Sequence, residues 1–539
     1  MCSKPFPSMG EPSASRCLFC NVGCPVRVIR SGPDRYLPDY VPHEGYAGLC
    51  GRGSVLVDLL DHSYRIRDAH RHGEVRETLS VEAAAREMAE ALRSAGSAAV
   101  IVDGNYGVDT VAAAGRFAQD AGARWAAFVP PSDESLVRGL DAAGCEFVGP
   151  EALEEADALL VIGDVFATHP VAAHWILGAR AKQPRIPLFV LADACGVTTE
   201  FASAYFQPFP GDGAAAAVAS IRTGRAEGVG PEALPLARWR EELRAAKRPA
   251  IVVAADSGRA SVSRLASEAA ALAKELGAAV CPLTVYGNAW GAVRAASAGG
   301  AVTVEQILTD PPQALLVIGT DLESALAPQA VASALGAVET LVYMGPMPNR
   351  TSRCAALVLP AAFPFEDAGR ALLGPGREVA FEPLMAPPAG VPTVRDVLEM
   401  AGASAEVRAD LSEAAAPAAA GPSSAEPRGE GILLTLAHDP VHFADGSLTR
   451  EAAWPQAVVP GPVLRMARED AEAAGLADGR RAVVQGPGGC VEVGVATCVN
   501  QRPGQVRASA AFPAVRNVFG WELDAPDAYE PVRVQVGKA

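Results

Sequence analysis

The sequence predicts an α/β protein with two doubly wound units, a cysteine-rich segment before them and a small β-barrel after them. From about residue 79 to about residue 400, alanine-rich helical stretches alternate with short apolar runs such as AAVIVDG, ALLVIGD and PLFVLAD. Runs of Val, Ile and Leu that end in Gly, Asp or Pro are typical of parallel strands covered by helices on both faces. Two cysteine motifs precede this region, and β runs interrupted by turn signals follow it.

The segment before the doubly wound region carries four cysteines at metal-ligand spacing. Cys17, Cys20 and Cys24 lie in RCLFCNVGCPV, and Cys50 follows in GYAGLCGRG. Four thiolates are the ligand set of a [4Fe–4S] cluster, one for each iron. Zinc is the structural alternative, because all-cysteine zinc sites also pair a CxxC with more distant thiols. Zinc sites usually use two CxxC pairs, however, and a single cysteine among glycines favours the cluster.

Two stretches of the doubly wound region look alike. EADALLVIGDVFATHP and PPQALLVIGTDLESAL each contain an apolar strand, a glycine and an Asp or Thr. Gly163 and Gly319 end these strands, where backbone can approach a ligand closely, although a plain glycine turn is the structural alternative. We therefore predict two related halves, one from residues 76–130 with 247–402 and the other from residues 131–246.

Composition predicts the remaining boundaries. Residues 1–75 are loop-rich and carry the cysteines, and they are predicted to form the cluster domain. Residues 403–431 are rich in Ala, Pro, Ser and Glu without periodicity, which predicts a linker. Residues 432–539 contain short β runs such as RAVVQG, CVEVGVAT and GQVRASA, separated by turn signals. This pattern predicts a small β-barrel domain.

Charge and hydropathy exclude some classes of partner. The net charge of −16 over 539 residues argues against nucleic acid or an anionic membrane as a partner. The longest apolar runs fall well short of the roughly 20 residues that span a bilayer, so we expect no direct membrane insertion. MCSKPFPSMGEPSAS, ahead of the first cysteine motif, has neither a twin-arginine nor a secretory pattern, which predicts a cytoplasmic location.

Four blocks, taken in order, resemble the molybdopterin oxidoreductase superfamily, which includes formate dehydrogenases, periplasmic nitrate reductases, formylmethanofuran dehydrogenase and the large iron–sulfur subunit of respiratory complex I. CLFCNVGCPV…GLCGRG is similar to its cluster domain, and EALEEADALLVIGDVFATHP…PLFVLAD to its first Rossmann-like half. LLVIGTDLESALAP and CAALVLPAAFPFEDAGRALLGPGREV are similar to the second half. LAHDPVHFADGSLTREAAW and the blocks after it are similar to the C-terminal dinucleotide-binding barrel, which the resemblance implies to be of the double-psi type.

The resemblance implies cofactors and roles for individual residues. The four cysteines would hold the cluster, and Arg52 would lie between cluster and pterin, where a cation favours the reduced cluster. A molybdenum or tungsten bis-molybdopterin guanine dinucleotide is the second cofactor that the resemblance implies. Its candidate contacts are Gly163, Asp164, His169, Asp193, Gly211, Asp212, Gly319, Asp321, His442, Thr449, Arg450 and Asn517. For each polar one, turn capping or a surface salt bridge is the structural alternative.

One stretch departs from the family pattern. Catalytic members place a Cys, selenocysteine, Ser or Asp as metal ligand shortly before the EADALLVIG strand. The corresponding stretch here, ARWAAFVPPSDESLVRGL, contains neither Cys nor His, and Pro130 and Pro131 stand about where the ligand belongs. Ser132, Asp133 and Ser135 remain as oxygen ligands, with Ser132 and Asp133 as the catalytic candidates. The His- and Arg-bearing segment of formate dehydrogenases is missing as well.

Two functions are compatible with this pattern. The lost ligand position favours an iron–sulfur electron-transfer subunit of a multi-subunit oxidoreductase complex, with the fold retained and molybdenum chemistry lost. The retained C-terminal barrel favours the alternative, an active molybdenum or tungsten bis-pterin oxidoreductase, similar to formate or formylmethanofuran dehydrogenase, with an oxygen ligand or none from the protein. A zinc-stabilised scaffold is a third, smaller alternative. Because one cluster cannot complete an electron pathway alone, we expect partner subunits that carry iron–sulfur, flavin or quinone-linked centres.

Overall fold

The computed structural model describes residues 15–30, 36–39, 45–46, 48–60, 62–225, 234–254, 258–404, 407–416, 427–499, 501–525 and 527–539. Parts of the predicted cluster domain and of the predicted linker therefore lie outside the described residues. None of the helices in these ranges is long and apolar enough to cross a membrane.

The N-terminal part consists of two short antiparallel ribbons and one helix. Its elements are β1 (Ser15–Arg16), β2 (Pro25–Val26), β3 (Val28–Arg30), β4 (Tyr36–Pro38) and α1 (Gly51–Leu60). The first two strands pair with each other, and so do the next two. The β1–β2 ribbon closes the loop that carries the first three cysteines, while the fourth cysteine directly precedes α1.

The α/β region that follows has fourteen strands and fifteen helices in the described residues. The strands are β5 (Ala69–Arg71), β6 (Glu77–Leu79), β7 (Ala98–Asp103), β8 (Arg124–Phe128), β9 (Ala158–Ile162), β10 (Leu188–Leu191), β11 (Ala204–Phe206), β12 (Pro249–Ala254), β13 (Ala279–Leu283), β14 (Ala314–Ile318), β15 (Thr340–Gly345), β16 (Leu357–Pro360), β17 (Gly369–Leu372) and β18 (Glu378–Phe381). The helices are α2 (Val81–Ser94), α3 (Val108–Asp120), α4 (Pro131–Asp141), α5 (Val165–Thr168), α6 (Ala172–Lys182), α7 (Val197–Glu200), α8 (Gly213–Thr223), α9 (Leu234–Ala245), α10 (Ala260–Leu276), α11 (Ala289–Ala298), α12 (Val304–Thr309), α13 (Leu322–Ala325), α14 (Pro328–Gly336), α15 (Arg350–Cys354) and α16 (Val394–Met400).

Two large sheets form in this region. One has the order β11-β10-β9-β12-β13 with all strands parallel, and the other has the order β6-β5-β16-β15-β14-β7-β8. In the second sheet only β5 and β6 run antiparallel to their neighbours. Every residue of β9, β12 and β14 is buried, as expected for strands that helices cover on both faces. The predicted fold class of two doubly wound α/β units is confirmed.

The predicted division of the two halves differs from the sheet topology in one place. β12 and β13 were assigned by sequence to the half that contains residues 76–130, but β12 pairs with β9 and so belongs to the five-stranded sheet. The apolar runs of β9, β12 and β14 are of similar length and composition. Their local sequence therefore does not specify which sheet each one joins, because strand neighbours are set by long-range pairing.

The described part of the predicted linker crosses the surface of the α/β region without forming a helix or strand there. Several hydrogen bonds hold it in place, two of them near its end. The backbone N–H of Ala415 donates to Asp141 at 2.7 Å, and Arg294 donates to the carbonyl of Leu411 at 2.9 Å. Arg294 and Asp141 also form an ion pair with each other, at 2.6 Å. This end of the segment is therefore packed against the body of the molecule.

The C-terminal part is a closed barrel of six strands. Its elements are β19 (Ile432–Ala437), α17 (Ala453–Val458), β20 (Val463–Ala467), α18 (Arg468–Ala473), β21 (Arg481–Gly486), β22 (Gly489–Cys498), β23 (Gln505–Ser509), α19 (Pro513–Val518) and β24 (Val532–Lys538). The strand order is β19-β23-β20-β22-β21-β24, which closes on itself. The predicted C-terminal β-barrel is confirmed, and closure leaves no open sheet edge.

Candidate functional site

The four N-terminal cysteines line one cavity of about 330 Å³, together with Arg52 and His169. Cys17, Cys20 and Cys24 are buried, and Cys50 is half-buried. The loop that carries the first three is fixed at its base, because the backbone N–H of Cys17 donates to the carbonyl of Cys24 at 2.8 Å. The fold therefore brings together all four cysteines that the sequence singles out.

Asn21, within this loop, ties the loop to the α/β body. Its side-chain amide donates to the carbonyls of Pro282 at 2.8 Å and Leu373 at 2.9 Å. Its side-chain oxygen accepts from the backbone N–H of Thr284, also at 2.8 Å. All three partners lie more than 250 positions away in the sequence, so the position of the cysteines depends on the folded α/β region.

Burial makes ionisation of these thiols unfavourable. It raises the pKa of Cys20 to about 11, and burial with neighbouring thiols also raises the pKa values of Cys17 and Cys24. Four buried thiolates would repel one another, so a cationic centre is needed to hold them ionised. Within the described residues, no three His, Cys, Asp or Glu side chains converge closely enough for one metal ion. Four thiols that line one cavity match a [4Fe–4S] cluster in ligand number, because each iron takes one thiolate.

Arg52, the second residue of α1, is buried and lines the same cavity. Its guanidinium donates to the carbonyl of Thr168, and its Nε has no hydrogen-bond partner in the described part of the chain. The guanidinium charge lowers the pKa of Cys20, although burial outweighs it. The structure thus places a fixed cation beside the cysteines, where the resemblance implies one.

His169 is buried and neutral. Burial and the charge of Arg52 lower its pKa to about 3. Its Nε2 lies 3.0 Å from the carbonyl of Thr284, which can only accept, so Nε2 carries the proton. Its Nδ1 is 2.9 Å from the hydroxyl of Thr168. Both ring nitrogens are thus occupied within the protein, and His169 lines the cysteine cavity.

The largest of the cavities described here lies between the five-stranded sheet and the barrel, and we call it the interdomain cavity. It has a volume of about 1220 Å³. Its walls come from the loops after β9 and β10 and from barrel residues, and polar groups on them include Asp164, Thr168, His438, Arg465, Gln501 and Arg507. Asp164 also anchors the loop after β10, because it accepts from the backbone N–H and hydroxyl of Thr198 at 3.0 and 2.6 Å.

A neighbouring groove of about 570 Å³ is lined by Gly163, Asp193 and Gly211. Asp193 is ion-paired with Arg507 of the barrel at 3.0 Å, which joins this groove to the interdomain cavity. Asp212 instead pairs with Arg264 on α10 and lines neither cavity. Three of the four sequence candidates in this region therefore share one surface, and Asp212 has a structural partner.

Alanine at Gly163 is expected to destabilise the protein by about 3 kcal/mol, and alanine at Gly211 by only about 1 kcal/mol. Both glycines have positive φ, 96° and 81°. A Cβ at residue 163 would lie 2.3 Å from the carbonyl oxygen of Ala254, whereas one at residue 211 would meet no atom within 4 Å. Denaturant unfolding of the two variants checks this difference, and equal losses would contradict a close backbone approach at Gly163.

The loop after β14, in the other predicted half, lines a different cavity of about 630 Å³, which we call the carboxylate cavity. Gly319 and Asp321 line it together with Asp103, Asn105 and Asp445. Asp321 accepts from the backbone N–H and hydroxyl of Thr351, both at 3.3 Å, and so holds α15. The side-chain oxygen of Asn105 and one carboxylate oxygen of Asp445 are buried without a partner among the described residues. These acceptors suit a ligand that is rich in N–H donors.

Burial raises the pKa of Asp103 to about 7, which makes stability depend on pH. A carboxyl whose pKa is higher in the folded than in the unfolded state stabilises the fold below about pH 4. That contribution, at most about 4 kcal/mol, is lost as the pH rises towards 7. We therefore expect Asp103→Asn to raise the unfolding temperature at pH 7.5 and to leave it unchanged near pH 4. Exposed Asp310→Asn is the control, and a pH-independent effect of Asp103→Asn would contradict the assignment.

Three of the four barrel candidates, His442, Thr449 and Arg450, have structural partners in the described residues. His442 lies 3.2 Å from the Thr449 hydroxyl and 3.0 Å from the Val459 carbonyl, and Arg450 donates to the carbonyls of Asp445 and Ala511. These contacts shape the loop that carries Asp445. Asn517 lies on α19 with its side-chain oxygen buried and unpartnered in the described part of the chain. None of the four is among the residues that line the cavities described here.

A central cavity of about 540 Å³ lies where Pro130, Pro131 and Ser132 follow β8. Ser132 lines it. The carboxylate of Asp133 accepts from the backbone N–H groups of Val285 at 3.0 Å and Tyr286 at 2.8 Å. Both oxygens of Asp133 are thus engaged in holding the turn after β13, which makes Ser132 the better placed of the two catalytic candidates.

The central cavity also contains residues that the sequence reasoning missed. They are His438, Asp445, Arg516, Trp521 and Tyr529. Ala444 and Tyr529, both in its wall, have φ angles of 47° and 68° and are the non-glycine residues with positive φ among those described. Such backbone costs about 1–3 kcal/mol per residue and clusters at functional sites. The family-like block LAHDPVHFADG contains His438 and Asp445, and no sequence signal marks the other positions.

Comparisons with known proteins bear on the fold and on the barrel. A family model described as the molydopterin dinucleotide binding domain matches residues 432–525, which cover most of the barrel. No curated protein sequence matches the chain. The structure is similar to that of acetylene hydratase from Pelobacter acetylenicus, with a TM-score of 0.76 and 12% sequence identity, over 98% of this chain and 100% of that chain. At this identity the likeness is one of fold.

Proposed function

We propose that the chain is a molybdenum or tungsten pterin-dinucleotide oxidoreductase. Its fold and its C-terminal domain are those of the molybdopterin oxidoreductase superfamily. Substrate would react in the central cavity, and electrons would pass through a [4Fe–4S] cluster in the cysteine cavity. The observation that carries the proposal is the large interdomain cavity, which the dinucleotide-binding domain lines. A side chain of that domain, His438, also lines the central cavity, so the two spaces share a wall.

The residues of the interdomain cavity fit a dinucleotide. Arg465 supplies positive charge for phosphates, and Gly163 leaves backbone within reach of a ligand in the adjoining groove. The Asp193 carboxylate can accept from ribose hydroxyls or a guanine edge. When bound, the cofactor would supply two-electron oxidation or reduction. The role of this chain would be to orient it and to separate it from bulk water.

The cysteine cavity fits an iron–sulfur cluster in ligand number, burial and charge. Four thiols surround it, and Arg52 adds a fixed positive charge. A cation beside a cluster stabilises its reduced form, because reduction adds negative charge. A bound cluster would carry single electrons between the central site and another protein.

A second candidate function is an electron-transfer subunit that carries the cluster but no pterin. The observation that favours it is Pro130–Pro131 at the ligand position, with both carboxylate oxygens of Asp133 engaged by backbone. In that case the interdomain cavity would persist as a feature of the fold without binding a cofactor. The sequence alone favours this role, whereas the size and lining of the cavities favour the catalytic one.

Metal content of the anaerobically purified chain separates these functions. We expect about four irons and close to one molybdenum or tungsten per chain, together with nucleotide released on acid treatment. About four irons without molybdenum or tungsten would support the electron-transfer subunit instead. One zinc and no iron would contradict both and support a zinc-stabilised scaffold.

Partner subunits remain part of the proposal. One cluster must exchange electrons with something else, so a partner with iron–sulfur, flavin or quinone-linked centres is expected in the cytoplasm. Ile29 and Leu37 are opposite each other in the β3–β4 ribbon, and both side chains are exposed. The ribbon lies between the third and the fourth cysteine in the sequence, so this apolar pair is a candidate contact for the partner. Gentle purification from the native source, followed by size-exclusion chromatography, tests for such a complex. A fully active monomer would contradict it.

A further inference from the structure

The two halves of the α/β region have the same local arrangement after β9 and after β14. In each half an Asp follows the strand within three residues and binds the second residue, a threonine, of a later short helix. Asp164 accepts from the N–H and hydroxyl of Thr198 at 3.0 and 2.6 Å, and Asp321 accepts from those of Thr351, both at 3.3 Å. Ligands of doubly wound sheets bind at such strand ends, so the cavities beside the two ends can be compared directly.

The carboxylate cavity, beside β14, offers no cationic side chain to a phosphate. Asp103, Asp321 and Asp445 line it, and no Lys, Arg or His is among the described residues of its wall. The interdomain cavity, beside β9, has Arg465 in its wall, as well as the ion-paired Arg507. Proteins hold phosphates with cationic side chains or with free backbone N–H groups, so the two cavities differ in the charge that a pyrophosphate needs.

Tyrosine side chains cover the glycines at the ends of β14 and β15. A Cβ at Gly319 would lie 2.6 Å from Cε2 of Tyr106, and one at Gly345 would lie 2.5 Å from the hydroxyl oxygen of Tyr343. Both tyrosines are buried. Gly211, in the groove that adjoins the interdomain cavity, differs, because a Cβ there would meet no atom within 4 Å. Of these three glycines, the one on the β9 side has backbone that is open to a phosphate.

The carboxylate cavity is also the smaller space. Its volume is about 630 Å³, against about 1220 Å³ for the interdomain cavity, which a groove of about 570 Å³ adjoins. Aromatic rings, among them those of Tyr286 and Phe443, form part of its wall, and Asn105 and Asp445 each leave a buried oxygen without a partner among the described residues. A planar ring with N–H donors would suit this wall, but a pyrophosphate joined to that ring would meet carboxylates and covered glycines.

We infer that this chain binds one pterin dinucleotide, in the interdomain cavity and its groove, and that the carboxylate cavity does not take a second one. This inference rests on the proposed function and narrows it, because the resemblance to the superfamily implies a cofactor with two dinucleotides. The residues beside β14 do not fit the second of these in charge, in access to glycine backbone or in volume. The two halves are thus alike in fold but unlike in the ligand that each can hold.

The ratio of nucleotide to metal in the purified full-length chain tests the inference. Acid releases the nucleotide, which is counted by chromatography, and molybdenum or tungsten is counted by mass spectrometry. We expect about one nucleotide per metal, whereas two bound dinucleotides would release about two. A ratio of about two would overturn the inference and leave the proposed function intact. A chain with neither nucleotide nor molybdenum or tungsten would refute the proposed function, and the inference with it.

A charge-reversal variant tests where the nucleotide lies. Arg465→Glu should lower nucleotide and metal together, to well below half of their content in the unaltered chain, because a single cofactor carries both. Arg465 is exposed, so the variant should fold, and the equally exposed Arg480→Glu of the barrel is the matched control that should keep both. Metal retained in full while part of the nucleotide is lost would reveal a second dinucleotide and overturn the inference. Unchanged nucleotide content in Arg465→Glu would overturn the placement in the interdomain cavity.

Discussion

Serine in place of Cys20 is expected to reduce iron from about four per chain to well below half of that, and to lower the unfolding temperature. Cys20 lies in the loop between β1 and β2 and lines the cavity that all four cysteines share. A serine hydroxyl is a much weaker iron ligand than a thiolate. Because cluster binding contributes to folding free energy, the loss of iron and the loss of stability should occur together.

Cys354→Ser is the control for this experiment. Cys354 is exposed at the end of α15 and does not line the cysteine cavity. Iron is counted by mass spectrometry, and the cluster by its visible absorption and its EPR signal after reduction. Equal iron in both variants would show that Cys20 is not a ligand. Loss of zinc rather than iron from Cys20→Ser would identify a zinc site instead.

Glutamine in place of Glu366 is expected to destabilise the protein by about 3–5 kcal/mol. Arg65 donates to both carboxylate oxygens of Glu366, and the two side chains are 0% and 1% exposed. Glu366 also accepts from the backbone N–H of Phe363 at 2.9 Å, and the guanidinium lies 4.7 Å from that ring centre. The variant would leave the buried charge of Arg65, which lies in the segment between α1 and β5, without its counter-ion.

The matched control is Glu242→Gln, which removes a pair between Glu242 and Arg238 on the surface of α9. Those side chains are 37% and 83% exposed, and such pairs contribute about 0.5 kcal/mol or less. Denaturant unfolding, followed by fluorescence and by circular dichroism, gives the two losses. Similar small losses for both variants would mean that the Arg65–Glu366 pair does not hold the N-terminal part to the α/β region.

The sequence was informative wherever a local pattern carries the structure. Buried apolar runs predicted parallel strands, and turn-interrupted β runs predicted the barrel, because hydrophobic periodicity and turn chemistry act over a few residues. The cysteine spacing singled out four candidate ligands, which the structure places on one loop and at one helix start. The same approach misplaced β12, since nothing within its six residues identifies its neighbour in the sheet.

The predicted pterin-dinucleotide contacts also divide into those that a local pattern located and those that it did not. Gly163, Asp193 and Gly211 do share a groove, because the carboxyl ends of parallel strands meet at one sheet edge. His442 and Thr449 are polar residues in a family-like block, yet they bond to each other and to backbone. A one-dimensional pattern identifies such residues as polar, but it does not identify which partner each one faces.

The sequence by itself determined the set of candidate metal ligands, the α/β and barrel classes, and the lack of Cys and His in the stretch ARWAAFVPPSDESLVRGL. Tertiary structure decided which polar groups remain without partners. Ser132, His438 and Arg516 come from three distant segments, and only tertiary packing brings them together in the wall of the central cavity. The physical reason is that the cost of a charge depends on burial and on neighbours in space, and both are properties of the fold rather than of the residue.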